Sequence, residues 1–436
     1  MISNLIKNGI NGTPIIPGDK SISHRSVIIP SISNGICEID NILKSEDVFH
    51  TIKAFKKMGV KIEDVSDKLI IYGNGLNSLK KPTNEIFLGN SGTSARLLAG
   101  LLSSQKFDSV LKGDGSLSKR PMGRIADPLN NMNAKINALN GTLPLTIKGN
   151  ELTATKIDLK IPSAQIKSGI MLASLNTEGE TIIIENRITR DHTEIMLEAF
   201  GANIDIKNTV DGKIIKILGK KELYSKNIVV PNDLSSSAFF IVCALINKNS
   251  NLVLKNINNN PTRNGLILAL KKMGAKMTFY NERFSNNEII CDIKVSSSDL
   301  KGCELGPEFA DLMIDEYPIL AIAASFASSP SIFRGLNELK VKESDRLKLI
   351  VHNLQNCGVD CKTENDDLYI NPSKNYEIKS KNIKTDYDHR IAMSFAIMGT
   401  KIGPLNIAES DSINTSFPKF KNELNRLGGN ILWKIK

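Results

Sequence analysis

The chain has 436 residues, 41% of them hydrophobic and 5% aromatic, with a formal net charge of +10; this is enough for two or three domains with aliphatic cores. The lysines are dispersed, with no basic stripe and few aromatics to stack on bases, which disfavours a nucleic-acid partner and points to a small anionic ligand. No apolar run approaches the ~18 residues of a membrane span, residues 1–20 lack the apolar core of a signal peptide, and six scattered cysteines show no metal-ligand spacing and fit a reducing compartment, so the expectation is a cytoplasmic protein with no membrane partner and no metal.

The first element follows the turn signal Pro17-Gly18. It runs Asp19-Lys20-Ser21-Ile22-Ser23-His24-Arg25 into small apolar residues, the pattern of a polar helix start. Hydroxyls, two cations and free backbone N–H groups make an anion site; alone, a basic capped helix is an equal reading. Met58-Gly59-Val60-Lys61-Ile62 then signals a helix stop and a strand, and residues 68–72 alternate as a second strand. A second polar start, Asn90-Ser91-Gly92-Thr93-Ser94-Ala95-Arg96, leads to a glycine-rich turn at 113–116 and to Arg120, a guanidinium able to grip a carboxylate or phosphate with two donors. Asn133-Ala134-Lys135-Ile136 repeats the helix-stop pattern without its glycine.

The third start is Ser163-Ala164-Gln165, followed by Arg190 in Thr189-Arg190-Asp191-His192 and the stop Phe200-Gly201-Ala202. A plain N-cap and a local salt bridge of Arg190 to Asp191 or Glu194 are the bland alternatives. Residues 229–233 form a natural midpoint. The fourth start is Asp233-Leu234-Ser235-Ser236-Ser237, closed by Met273-Gly274-Ala275. The fifth, Asp315-Glu316-Tyr317-Pro318, precedes the apolar run 319–324, and a carboxylate beside a buried helix start can serve as a base. Val341-Lys342-Glu343-Ser344-Asp345-Arg346 is dense with charge, and its bland reading is a solvated helix face laced with i,i+3 pairs. The sixth start, Asp388-His389-Arg390, is followed by the stop Leu427-Gly428-Gly429.

Six copies of one α/β unit at a period of roughly 70 residues are too long for a solenoid repeat. They predict two domains of three copies each: residues 19–230, and residues 1–18 plus 231–436, with Gly18 as a hinge and the active site in the cleft between them. Converging helix starts would gather several cations, two or three carboxylates and many N–H donors, a set suited to two phosphorylated or carboxylated small molecules. Neither a Walker loop nor a dinucleotide fingerprint is present.

These motifs, in this order and over essentially the whole chain, closely resemble the family of 5-enolpyruvylshikimate-3-phosphate synthases. The matches at residues 20–25, 88–96, 120–121, 342–346 and 388–390 carry the resemblance. Ser91, Leu97, Ser163-Ala164-Gln165 and residues 190–193 are similar to the second sequence class of that family. The resemblance implies a two-domain inside-out α/β barrel of six βαβαββ repeats, three per domain, acting as a 3-phosphoshikimate 1-carboxyvinyltransferase in chorismate and aromatic amino-acid biosynthesis. It implies a monomer with no cofactor, using shikimate 3-phosphate and phosphoenolpyruvate.

By the same resemblance, Lys20, Ser21, Arg25, Ser163, Ala164, Gln165, Arg190, Asp315 and Lys342 are expected to bind shikimate 3-phosphate. Lys20, Gly92, Arg120, Gln165, Arg346 and Arg390 are expected to bind phosphoenolpyruvate. Asp315, Glu343 and Lys20 are the expected catalytic groups, Asp315 accepting the 5-hydroxyl proton and Glu343 protonating the methylene carbon, so that a tetrahedral ketal forms and phosphate then leaves. Many family members carry a lysine before Phe-Pro near the C-terminus; Ser416 stands before Phe417-Pro418 here. The sister family that acts on UDP-N-acetylglucosamine typically has a reactive cysteine in the loop corresponding to residues 113–120, and this loop has none.

Overall fold

The structure, a computed structural model, describes residues 1–210, 212–373 and 376–433. Six buried helices carry the polar starts: Lys20–Ser31, Gly92–Ser103, Ala164–Leu175, Leu234–Ile246, Tyr317–Ser325 and His389–Ile402. Asp19, Ser91, Ser163, Asp233 and Asp388 each accept a backbone N–H of the helix they precede, which removes one orphan donor per helix. Glu316, at the fifth start, makes no such bond, and Pro318 opens that helix instead. Every residue of Leu234–Ile246 and of Tyr317–Ser325 is buried, as expected of helices apolar all round.

Six four-stranded sheets complete the repeats among the described residues, and each has the same plan. One edge strand is parallel to its neighbour, and that neighbour runs antiparallel to the next two-stranded pair, as in Lys156–Leu159 beside Glu180–Glu185, then Lys213–Leu218 and Asn203–Asn208. Strands next to the helix stops are largely exposed, so helices lie innermost and sheets outermost within a repeat. The helix-stop glycines Gly59, Gly201, Gly274, Gly358 and Gly428 all have positive φ, between 82° and 114°. The copy without glycine puts Asn133 at φ 67°, the residue type that best tolerates the left-handed region after glycine.

The chain divides into two compact units. One comprises Gly18–Val230 and Ser285–Glu288; the other comprises Met1–Pro17, Pro231–Phe284 and Ile289–Lys436. Gly18 and residues 285–288 thus group with the first unit, whereas the sequence reading assigned them to the second. Each unit has its own aliphatic core. Gly18 has a packing reason to be glycine, since a Cβ there would lie 2.0 Å from the Asn41 carbonyl oxygen. In the first unit, helices Gly92–Ser103 and Ala164–Leu175 pack so closely that a Cβ on Gly100 would meet the Gly169 carbonyl oxygen at 1.8 Å. That approach brings their polar starts side by side.

Candidate active site

The unit of residues 18–230 gathers three helix starts. Lys20, on the first turn of its helix, pairs with the buried carboxylate of Asp47. Asp47 Oδ1 has no partner among the described residues. Arg25, one turn further, is buried and splits its donors: Nε to Thr193 Oγ1 at 2.6 Å, Nη2 to Ser168 Oγ at 2.7 Å and Nη1 to the Ser21 carbonyl at 2.9 Å. Burial lowers the Arg25 pKa to about 10, against the opposing pull of Glu194 and Asp19. Ser168 Oγ in turn donates to the Ala164 carbonyl at 2.6 Å. Arg25 is thereby tied to the helix that starts Ser163-Ala164-Gln165.

Gly92 opens the second helix. The space a Cβ would take there lies 3.0 Å from both Arg96 Nη1 and Arg120 Nη1. Arg96 donates to Gln165 Oε1 at 2.6 Å, and Gln165 Nε2 donates to Thr93 Oγ1 at 3.0 Å. Arg120 is buried and donates to Asn90 Oδ1. Gly92, Arg96, Arg120 and Gln165 therefore form one cluster in which glycine leaves room for two guanidinium groups. His24 lies behind it: its Nδ1 and Thr51 Oγ1 are 2.8 Å apart, and Thr51 Oγ1 joins Ser94 Oγ at 2.6 Å. Burial drives the His24 pKa well below 6.5, with Lys20 and Arg25 adding to the effect.

Arg190 follows a loop anchored by a buried ion triad. Lys167 Nζ lies 2.9 Å from Glu185 Oε2 and 2.6 Å from Glu194 Oε1. Glu185 Oε1 also accepts the Thr189 N–H at 3.0 Å. Glu194 pairs with Lys167, and Asp191 pairs with Lys213 at 3.2 Å.

The second unit centres on Arg346, whose side chain is fully buried. Its Nε donates to Asp388 Oδ2 at 2.8 Å and its Nη1 to Asp315 Oδ1 at 3.1 Å, while Nη2 lies 2.5 Å from Glu343 Oε2. Burial alone would lower the Arg346 pKa, but Asp388, Glu343 and Asp315 together raise it. Lys342 Nζ stands 4.0 Å from Asp315 Oδ1. The charge-dense segment is thus not a solvated helix face: the helix begins only at Arg346, capped by Asp345, and its first residue is interior. Nη2 also donates to Asp388 Oδ1 at 3.3 Å, so among the described residues four of the five guanidinium hydrogens of Arg346 are committed and one on Nη1 is left to offer a ligand.

Arg390 Nη1 donates to the Asp315 carbonyl at 3.1 Å and to Glu316 Oε1 at 3.3 Å. Asp388, besides holding Arg346, accepts the Arg390 N–H at 2.9 Å. His389 Nδ1 meets Thr415 Oγ1 at 3.3 Å. Ser416, at the position where a lysine would add a cation, is buried, and its Oγ has no partner among the described residues. No group of three or more His, Cys, Asp or Glu side chains suited to a metal occurs among the described residues. Among the same residues no helix is long and apolar enough to cross a membrane.

Asp47 and the Lys167 triad were not singled out from the sequence. They lie far along the chain from the groups they hold, and nothing in local spacing marks them. Asp388 was visible as a helix cap, but its grip on Arg346 was not.

A family profile described as EPSP synthase (3-phosphoshikimate 1-carboxyvinyltransferase) matches residues 6–424. A 3-phosphoshikimate 1-carboxyvinyltransferase of Ruthia magnifica subsp. Calyptogena magnifica is 45% identical over 426 residues, covering 97% of each chain. One of Pseudomonas sp. (strain PG2982) is 43% identical over 428 residues, covering 97% of this chain and 95% of the relative. A solved structure of EPSP synthase from Acinetobacter baumannii superposes with a TM-score of 0.85 at 44% identity, covering 98% of both chains.

Proposed function

The chain belongs to the EPSP synthase family and transfers the enolpyruvyl group of phosphoenolpyruvate to shikimate 3-phosphate in aromatic biosynthesis, and from that premise we propose how its side chains divide the work. Lys20, Ser21, Arg25, Ser163, Ala164, Gln165 and Arg190 bind shikimate 3-phosphate, completed by Asp315 and Lys342. Gly92, Arg120, Gln165, Arg346 and Arg390, with Lys20, bind phosphoenolpyruvate. Guanidinium groups suit both the phosphate and the carboxylate, because their paired donors match two oxygens at once. The reaction then requires the sets of both units to act on one pair of substrates.

One observation carries the acid–base assignment. Asp315 and Glu343 both lie on the buried Arg346 guanidinium, yet their side chains keep 18% and 21% exposure while Arg346 has none. Two carboxylates held on one cation, each still reachable, can serve as a base and an acid in a single step. Asp315 takes the proton of the 5-hydroxyl as that oxygen attacks C2 of phosphoenolpyruvate. Glu343 delivers a proton to the methylene carbon, turning the double bond into a methyl group and leaving a tetrahedral ketal. Loss of a methyl proton to Glu343 and cleavage of the C–O bond to phosphate then restore the enol ether. The arginines stabilise the phosphate and carboxylate charge throughout. The reading extends to a monomer acting in the cytoplasm, which six free cysteines suit.

The deciding experiment is phosphate release on mixing the protein with shikimate 3-phosphate and phosphoenolpyruvate, with UDP-N-acetylglucosamine in a parallel reaction. Release with the first acceptor only is expected. Release with the nucleotide sugar alone would overturn the assignment.

A further inference from the structure

Glu316 has no part in the reaction scheme, and it does not cap the helix it precedes. Its side chain is nevertheless only 3% exposed. Burying a carboxylate is expensive unless its partners are well placed. Both partners meet the same oxygen: Ser235 Oγ donates to Glu316 Oε1, and Arg390 Nη1 donates to it at 3.3 Å. Glu316 Oε2 has no partner among the described residues.

Ser235 is itself oriented from behind. Arg263 Nη2 donates to Ser235 Oγ at 2.6 Å and to Asp233 Oδ1 at 3.1 Å. A guanidinium only donates, so the single hydroxyl hydrogen of Ser235 must go to Glu316. Asp233, Arg263, Ser235, Glu316 and Arg390 therefore form one hydrogen-bonded network, with Glu316 accepting from both Ser235 and Arg390, that links the fourth, fifth and sixth helix starts within their unit. At its end, Arg390 is engaged only through Nη1; its Nε and Nη2 have no hydrogen-bond partner among the described residues.

We propose that Glu316 is a positioning residue that clamps one arm of the Arg390 guanidinium, so that its remaining donors are presented in fixed orientation to the anionic substrate. This rests on the reading of Arg390 as a phosphoenolpyruvate contact. The planar fork recognises a carboxylate or phosphate through two parallel bonds, so rotation about its stem forfeits both. Holding one nitrogen in advance removes that freedom before the substrate arrives.

The test measures kcat and the phosphoenolpyruvate KM by phosphate release, shikimate 3-phosphate affinity by calorimetry, and Tm, for Glu316→Ala, Glu316→Gln, Ser235→Ala and Arg390→Ala. Glu316→Ala should raise the phosphoenolpyruvate KM about tenfold with kcat within about threefold of the parent, the signature of lost binding without lost chemistry. Glu316→Gln should recover KM to within about threefold, because the amide oxygen can still accept from both Ser235 and Arg390. Ser235→Ala probes the same network with the carboxylate left in place and should raise KM about threefold. An unchanged KM in Glu316→Ala, alongside a raised KM in Arg390→Ala, would overturn the clamp while sparing the Arg390 reading. Loss of kcat, shikimate 3-phosphate affinity and Tm together in both Glu316 variants would show a purely structural role and overturn it too. An unchanged KM in Arg390→Ala would remove the premise, and the clamp with it.

Discussion

Replacing Gly92 by alanine separates binding geometry from stability. The new Cβ would sit 3.0 Å from Arg96 Nη1 and 3.0 Å from Arg120 Nη1, with Leu117 Cδ1 at 3.7 Å. Both close neighbours are tips of long side chains, so each can yield a few tenths of an ångström without disturbing the backbone. Gly92 is the first residue of its helix, and alanine there gains at most about 1 kcal/mol of helix propensity, worth about 2–4 °C in Tm for a unit of this size. The displaced tips carry the functional penalty. Arg96 would pull on its 2.6 Å bond to Gln165 Oε1, and Arg120 on its bond to Asn90. A charge-assisted hydrogen bond to substrate is worth about 1.5–3 kcal/mol, so partial loss of one predicts a phosphoenolpyruvate KM raised about tenfold. Steady-state phosphate release at saturating shikimate 3-phosphate, with Tm by calorimetry, measures both quantities. A KM within about twofold of the parent, in a variant that folds, would show that this crowding does not reach the substrate and would refute the reasoning.

Glu343→Gln keeps the shape of the side chain but cannot deliver or take a proton, so turnover should fall by roughly 10²–10⁴-fold, with shikimate 3-phosphate affinity by calorimetry near that of the parent; undiminished turnover would remove Glu343 from proton transfer. His24 gives a pH prediction. Its pKa is well below 6.5 in the folded chain because it is buried beside Lys20 and Arg25, so below about pH 6.5 the unfolded chain takes up a proton that the native chain does not. Stability from this group is complete above pH 6.5 and declines as pH falls toward the folded value, with a slope of up to about 1.4 kcal/mol per pH unit. His24→Asn should flatten that part of a series of urea-unfolding midpoints taken between about pH 7.5 and 5; identical pH slopes for the two proteins would contradict it.

Much of the local architecture follows from short-range chemistry that any stretch of this sequence carries. Asp19, Ser91, Ser163, Asp233 and Asp388 cap helices because a short oxygen-bearing side chain there satisfies a free N–H. Gly59, Gly201, Gly274, Gly358 and Gly428 stop helices because they adopt positive φ without strain, and Asn133 substitutes for the missing glycine for a related reason. The repetition of this pattern six times was therefore visible in the residues, and with it Lys20, Arg25, Asp315 and Arg390 as polar groups at helix starts; Glu343 and Arg346 became candidates through the family resemblance.

What each candidate does to its neighbours depended on tertiary structure, because the partners are distant in sequence. Asp47 reaches Lys20 from another helix, Lys167 bridges Glu185 and Glu194, and Arg263 orients Ser235 toward Glu316. The segment 341–346 illustrates the difference most directly. Its charge pattern reads equally well as a solvated helix face, since spacing alone carries no information about burial. Only packing against Asp315 and Asp388 turns Arg346 into an interior cation. Sequence determined where the helices start and stop and which polar groups stand at those starts, through caps, turns and periodicity that act over a few residues. Tertiary structure decided which of those groups are held, and by what, because a buried charge is stable only where distant segments bring its counter-charges to it.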